Sequence, residues 1–130
     1  MFPSRVEAWR EARAFVERFC RQSGVGRDTG LKANLVLEEL FLNTVKHGHR
    51  GGSDAPVWIT LARDDGRVRI IYEDVAVPFN PFAQPPRDLA KAVSHHEREG
   101  GLGVVLANAL SSSADYAYLF GRNRISLEVA

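Results

Sequence analysis

The stretch LVLEELFLNTVKHGHR, Leu35–Arg50, carries most of the information about how this 130-residue chain folds. Its apolar residues recur at helical spacing, and the pattern predicts a helix from about Leu31 to His49. On a helical wheel the apolar positions fill almost the whole circumference, so the helix is expected to be buried on most sides. The polar positions fall into one narrow sector, which holds Lys32, Glu39, Asn43, Lys46 and Arg50.

This polar strip has two interpretations. It can face solvent, with Glu39 and Lys46 as ordinary surface charges, which is the commoner arrangement for a helix with one polar face. Asn43 favours a ligand site instead, because an asparagine amide competes for backbone hydrogen bonds and suits a helix interior poorly. One turn after a carboxylate, its amide oxygen can bind a hard cation such as Mg²⁺, whose coordination is often completed by substrate phosphates. Periodicity alone does not decide between the two.

The composition of the chain is that of a globular protein without a strongly charged partner. Of its residues 45% are hydrophobic and 25% charged, and the length fits a single domain spanning residues 1–130. With 17 basic and 16 acidic side chains the net charge is +1, so neither nucleic-acid nor membrane binding is predicted. The lone cysteine, Cys20, fits a reducing compartment, and no apolar run approaches the roughly 20 residues of a membrane span. A cytoplasmic location is therefore predicted.

The remaining pattern predicts a further helix and two hairpins. A helix is expected over residues 5–22 with Ser4 as its N-cap, followed by a glycine-rich loop. Alternating apolar residues on both sides of Asp65-Gly66 indicate a β-hairpin over residues 56–74, and a second hairpin is expected to turn at Gly121–Asn123. Strands grouped beside separate helices favour an α+β fold, with an antiparallel or mixed sheet covered by helices on one face.

A glycine cluster, Gly100–Gly103, stands at the start of a third predicted helix. A helix N-terminus presents unpaired N–H groups, and glycines allow an anion such as a phosphate to approach them closely. A turn that only serves packing is the commoner explanation of such a cluster, so the signal is weak by itself. A P-loop is excluded, because no glycine in the chain is followed by Lys and then Ser or Thr.

Several motifs occur together in one order: EELFLN and KHG within residues 38–48, EDVAVPFNP at residues 73–81, EREGGLG at residues 97–103 and GRNRISLEV at residues 121–129. With these motifs the chain resembles the GHKL ATP-binding superfamily over residues 4–130. Within that superfamily it is most similar to the anti-sigma-factor serine kinases of bacterial partner-switching systems. The resemblance implies the two-layer α/β sandwich of the GHKL, or Bergerat, ATPase type.

The same resemblance implies a serine/threonine protein kinase that binds Mg-ATP and phosphorylates a serine or threonine on a small antagonist protein. A sigma factor is the second partner that such a kinase can bind, and a homodimer is compatible with the family. Only three residues precede Ser4, so the family's first strand is expected to be short or missing. The alternative function is a non-catalytic module that senses nucleotide and presents a protein-interaction surface.

Specific roles follow from the resemblance for residues of the polar strip and of the first hairpin. Glu39 is the implied general base, and Asn43 is the implied ligand of the Mg²⁺ ion that bridges the ATP phosphates. Lys46 is implied to touch a phosphate. Asp74 is implied to accept a hydrogen bond from the adenine amine, and Ala76 stands beside adenine where the family has glycine.

The glycine motif is implied to form the hinge of an ATP lid over about residues 82–100. The implied nucleotide-binding residues there are Arg98, Gly100, Gly101, Leu102 and Gly103. Ala76 is the main departure from the family pattern, because its Cβ occupies space through which glycine lets the base approach the backbone. A weaker affinity for ATP is the expected consequence.

Overall fold

The computed structural model describes residues 1–48, 52–80 and 111–130, which form two α-helices and a five-stranded sheet. The strands are β1 (Phe2–Pro3), β2 (Pro56–Asp64), β3 (Arg67–Asp74), β4 (Ser111–Leu119) and β5 (Arg122–Val129). The helices are α1 (Trp9–Gln22), entered through a 3₁₀ turn at Val6–Ala8, and α2 (Arg27–Asn43), which continues as a π-helical turn over Thr44–Gly48. The predicted α+β fold and the short first strand are confirmed, whereas the predicted third helix lies outside the described residues. Neither of the two helices is long and apolar enough to span a bilayer.

Neighbouring strands of the sheet are all antiparallel, in the order β1-β2-β3-β5-β4. The β2–β3 hairpin turns at Asp65-Gly66, as predicted, with φ of 55° and 85°. The β4–β5 hairpin turns at Phe120-Gly121, with φ of 52° and 77°, rather than at Gly121–Asn123. Two-residue turns with positive φ at both positions match the twist of the paired strands and fix their register. Asn123 is consequently a residue of β5, directly opposite Asp74 of β3.

One face of the sheet packs against α2, which is the central helix of the core. The buried residues of α2 include Ala33, Val36, Leu37, Leu40 and Phe41. The strands contribute Val57, Ile59, Val68, Ile70, Tyr72, Ile125, Leu127 and Val129. α1 packs beside α2, with the rings of Trp9 and Phe41 5.7 Å apart. Truncating a buried aromatic such as Phe41 to alanine typically costs about 3–5 kcal/mol, so this helix is fixed firmly on the sheet.

Two sequence-based predictions about helix starts are wrong. Ser4 does not cap the first helix, because its fully buried hydroxyl group donates to the carbonyl oxygen of Ala55, 2.8 Å away. α2 begins at Arg27, one turn earlier than expected. Gly30, which suggested a loop, is a buried helix position where a Cβ would lie 3.5 Å from Sγ of Cys20. This is an ordinary van der Waals distance, so the packing of α1 on α2 would also accommodate an alanine at this point.

Candidate functional site

The polar strip of α2 crosses the point where the α-helix changes into a π-helical turn. Glu39 is half-buried, Asn43 is the last residue of the α-helix, and Lys46 is exposed on the π turn. The Oδ1 atom of Asn43 is buried and has no hydrogen-bond partner among the described residues. A buried acceptor without a partner lowers the stability of the fold by about 1–3 kcal/mol. A ligand that bonds to this oxygen would remove that cost, so an unsatisfied oxygen is what is expected of a ligand-binding atom. π turns are themselves frequent at functional sites.

The carboxyl group of Glu39 has a raised pKa. Partial burial is the main cause, because it penalises the charged form, and the carboxylate of Glu38 raises the pKa further. Lys46 acts in the opposite direction and lowers the pKa of Glu39, which shows that its ammonium group lies within electrostatic range. A carboxylate with a raised pKa binds a proton more readily than an exposed one, so Glu39 is suited to accept a proton.

A second polar group, the carboxylate of Asp74, lies at the carboxyl end of β3 and is 7% exposed. Its Oδ2 accepts a hydrogen bond from Oγ1 of Thr44 at 2.8 Å. Its Oδ1 accepts hydrogen bonds from Nδ2 of Asn123 at 2.8 Å and from the backbone N–H of Ala76 at 3.2 Å. These donors offset the cost of taking a carboxylate out of water. Because Thr44 follows Asn43 directly, Asp74 contacts the helix at the point where the α-helix changes into the π turn.

Two buried hydroxyl groups extend this contact into the core. Oγ1 of Thr44 also lies 2.5 Å from the hydroxyl oxygen of Tyr72 and 3.0 Å from the carbonyl oxygen of Leu40. Tyr72 is 1% exposed, and burial raises its pKa well above the usual range, so the phenol stays protonated. The sequence predicted Tyr72 only as part of the hairpin over residues 56–74, and it gave Thr44 no role. Nothing in the periodicity of either element shows that the two hydroxyl groups meet.

The side chain of Asn123, a residue of β5, holds the segment that follows β3 against the sheet by hydrogen bonds. Its Nδ2 also reaches the carbonyl oxygens of Ala76 and Val77, at 3.1 Å and 3.0 Å. Its Oδ1 accepts hydrogen bonds from the backbone N–H of Phe79, at 3.0 Å, and from the hydroxyl group of Tyr116. Sequence reasoning placed Asn123 in a turn and missed this role. The antiparallel register with the end of β3 is the signal that could have identified it.

Ala76 fits this segment without the conformational freedom of glycine. It is 7% exposed, and among the described residues only Asp65 and Phe120 combine a side chain with a positive φ. An alanine at this position therefore costs no left-handed backbone strain. Any effect on ATP affinity of having Ala76 where the family has glycine must come from the space that the Cβ of Ala76 occupies.

The structure brings together one part of the sequence-predicted site. Glu39, Asn43 and Lys46 lie at the end of α2, and Asp74 and Ala76 lie at the end of β3 that contacts it. The other predicted residues lie outside the described residues: Arg98, Gly100, Gly101, Leu102 and Gly103.

The sequence matches the family model of the histidine kinase-like ATPase domain over residues 2–128. The chain therefore belongs to this ATPase family. It is an ATP-binding module of the GHKL type, and the match includes the ends of α2 and β3 that carry the polar groups of this ATPase domain. A search of curated proteins finds no match to the chain.

Proposed function

We propose that this ATPase domain is an anti-sigma-factor-like serine/threonine kinase, which binds Mg-ATP and phosphorylates a serine or threonine of a small antagonist protein. The observation that carries the proposal is the arrangement at the end of α2. There the unsatisfied Oδ1 of Asn43 follows Glu39 by one helical turn, and the next residue, Thr44, holds the carboxylate of Asp74. The family match supplies the ATP-binding context.

In this proposal Asn43 would hold the metal ion. Its amide oxygen is a hard ligand, and Mg²⁺ is commonly bound by one or two protein oxygens together with waters and phosphates. When bound, the ion would neutralise charge on the transferred phosphoryl group. Lys46, exposed on the π turn, would add positive charge beside the phosphates.

Asp74 would recognise the adenine ring. Within the described part of the chain its Oδ2 accepts one hydrogen bond, whereas a carboxylate oxygen accommodates two. The second lone pair would accept an N–H from the exocyclic amine of adenine, close to Ala76. Guanine carries a carbonyl oxygen at the corresponding position, and two acceptors cannot bond to each other, so ATP is expected to be preferred over GTP.

Glu39 would act as the general base. It would take the proton of the acceptor hydroxyl group while that oxygen attacks the γ-phosphorus and ADP leaves. Its pKa, raised mainly by burial, suits this task, because an efficient base needs appreciable proton affinity at the working pH. The nucleotide-binding roles of Arg98 and Gly100–Gly103 rest on the sequence resemblance alone.

The proposed partners are the antagonist protein, a sigma factor and a second copy of the chain in a homodimer, all acting in the cytoplasm. They rest on the resemblance to partner-switching kinases. Direct nucleic-acid binding is not part of the proposal, because the net charge of +1 supplies no electrostatic attraction to phosphates.

Non-catalytic nucleotide sensing is the second candidate function, and the contacts of Asn123 favour it. The side chain that bonds to Asp74 also holds the backbone of Ala76, Val77 and Phe79. Val77 is 69% exposed and Phe79 is 54% exposed. Binding of an adenine ring can therefore alter an exposed apolar surface, and a partner could respond to that surface without any phosphate transfer.

Thermal unfolding with ATP, ADP and GTP, each with and without Mg²⁺, tests the nucleotide site. A ligand at about 100-fold its Kd stabilises the native state by about 2.7 kcal/mol. The wild type is expected to show a Mg²⁺-dependent shift with ATP that Asn43→Ala loses. Asn34→Ala is the matched control, because Oδ1 of Asn34, also on α2, is likewise buried without a partner among the described residues but lies outside the polar strip. No shift of the wild type with any nucleotide contradicts the proposed site.

Transfer of labelled phosphate from ATP to an antagonist protein separates the two candidate functions. If the wild type labels the antagonist protein and Glu39→Gln does not, the result supports the kinase. Partner binding that depends on nucleotide, with no labelled product, supports sensing.

A further inference from the structure

The hydroxyl groups of Tyr72 and Thr44 form a chain that ends on Asp74. The hydroxyl oxygen of Tyr72 lies 2.5 Å from Oγ1 of Thr44, which lies 2.8 Å from Oδ2 of Asp74. The carbonyl oxygen of Leu40 is within reach of both hydroxyl groups, at 3.2 Å from Tyr72 and 3.0 Å from Thr44. Each hydroxyl group has a single proton. Tyr72 can donate its proton to Thr44 or to Leu40, and Thr44 can donate to Asp74, to Leu40 or to Tyr72.

The charge of Asp74 decides how these protons are arranged. A hydrogen bond to a carboxylate is about twice as strong as one to a neutral acceptor, so Thr44 donates to Asp74 rather than to Leu40. Oγ1 of Thr44 is then free to accept the proton of Tyr72, for which it is the nearer acceptor. The carbonyl oxygen of Leu40 keeps the backbone hydrogen bond from the N–H of Thr44. Hydrogen bonds in such a chain strengthen one another, because each donation polarises the next donor.

We infer that Tyr72 is a positioning residue for recognition of the adenine amine, acting through Thr44 on Asp74; this inference rests on the proposed ATP binding. Tyr72 is 1% exposed within the core and contributes no surface to a ligand. Its proton fixes the direction in which Thr44 donates, and that donation occupies one lone pair of Oδ2. The other lone pair is thereby held in place for the N–H of the ligand.

Without the hydroxyl group of Tyr72, Thr44 loses the donor that orients it. Its own proton can then turn to the carbonyl oxygen of Leu40, which is only slightly farther away than Asp74. Oδ2 would lose its protein donor in part of the molecules, and the carboxylate would gain freedom to rotate. The expected consequence is a loss of preference for an amine at the recognised position, with little change in affinity for the rest of the nucleotide.

The test compares Mg·ATP with Mg·purine riboside triphosphate, which has a hydrogen atom in place of the amine. Calorimetric titration measures Kd for both ligands with the wild type, Tyr72→Phe, Thr44→Val and Thr44→Ser. The wild type is expected to prefer ATP, and both Tyr72→Phe and Thr44→Val should reduce that preference about tenfold, the size expected for weakening a hydrogen bond to a charged group. Thr44→Ser, which keeps the hydroxyl group, should restore it. Kd for the purine analogue should stay the same in all four proteins.

The outcomes separate this inference from the proposed function. If the wild type binds both ligands equally or binds neither, adenine recognition by Asp74 is wrong, and the role of Tyr72 falls with it. If the wild type prefers ATP and Tyr72→Phe keeps the full preference, only the positioning role is overturned.

Proton NMR of the ligand-free wild type tests the hydroxyl chain without any variant. A slowly exchanging hydroxyl proton on Tyr72, close to Thr44, and a second one between Thr44 and Asp74 are expected. A Thr44 proton directed at the carbonyl oxygen of Leu40 would overturn the inference, whether or not the variants fold.

Discussion

The two ends of the candidate site are built in opposite ways. At the end of β3, the carboxylate of Asp74 is hydrogen-bonded to Thr44, Asn123 and the backbone of Ala76. At the end of α2, the buried oxygen of Asn43 has no partner in the described part of the chain. Several protein donors hold the Asp74 carboxylate in one geometry and still leave a lone pair of Oδ2 for a ligand, whereas an unsatisfied oxygen can adjust to a ligand that brings waters and phosphates with it. Under the proposed function, base recognition thus relies on preorganisation, and phosphate binding relies on open coordination.

The largest effect is expected at the α2 end, from Glu39→Gln. Glutamine keeps the shape of the side chain but cannot accept a proton, so the rate of phosphate transfer should fall about 10²–10⁴-fold. Affinity for ATP should not change, because Glu39 would not contact the nucleotide base. Single-turnover transfer to an antagonist protein, beside calorimetric titration with ATP, measures both quantities. Full transfer activity in this variant would exclude Glu39 as the base.

Asp74→Ala is expected to have the largest effect on stability. It removes the acceptor shared by Thr44, Asn123 and Ala76, and leaves buried donors without a partner. The free energy of unfolding should fall by about 3 kcal/mol, and ATP binding should be lost. Urea denaturation measures the first effect. A loss below about 1 kcal/mol would show that the fold does not depend on the hydrogen bonds of Asp74 at this end.

Asn43→Ala should leave the stability of the ligand-free protein almost unchanged, in contrast to Asp74→Ala. Removing a buried oxygen without a partner relieves an unsatisfied group, and alanine is the better helix former by up to about 0.7 kcal/mol. The free energy of unfolding in urea should stay within about 1 kcal/mol of the wild-type value. If the two variants lose stability equally, Asn43 is a structural residue, and the contrast between the two ends disappears.

The smallest effect is expected in the dependence of stability on pH. Because the pKa of Glu39 is raised in the folded protein, the native state binds more protons than the unfolded chain between the ordinary glutamate pKa and the raised one. The free energy of unfolding should therefore decrease as pH rises through this window and level off above it. Urea midpoints of the wild type and Glu39→Gln across the window isolate this contribution. Equal slopes for the two proteins would contradict the partial burial of this carboxyl group.

Short-range patterns were sufficient to predict α2, its polar strip and the β2–β3 hairpin. Helical spacing identified the buried faces of α2, and Asp65-Gly66 fixed both the turn and the register of the hairpin. Motif order then selected Glu39, Asn43 and Asp74 as candidate site residues. The helix and the hairpin depend on residues that are close together in the sequence, whereas the choice of site residues depends on the order of motifs along the chain.

The hydrogen-bond network around Asp74 could not be predicted in the same way. Thr44 and Tyr72 meet because of the position at which the end of α2 crosses the sheet, and periodicity carries no information about that position. Asn123 was missed because the second hairpin turns at Phe120-Gly121, and phenylalanine is a poor residue for a positive φ. Placing the end of the turn at Asn123 rather than at Gly121 removed Asn123 from the strand that pairs with β3.

The segment after β3, residues 75–80, has no regular secondary structure, yet Asn123 holds its backbone at Ala76, Val77 and Phe79. In terms of local unfolding, this segment therefore belongs to the same cooperative unit as the end of the sheet. Its opening would remove the backbone partners of the same amide that bonds to Asp74. Opening of the segment is therefore expected to loosen the amide that orients Asp74, so the two events are coupled through Asn123.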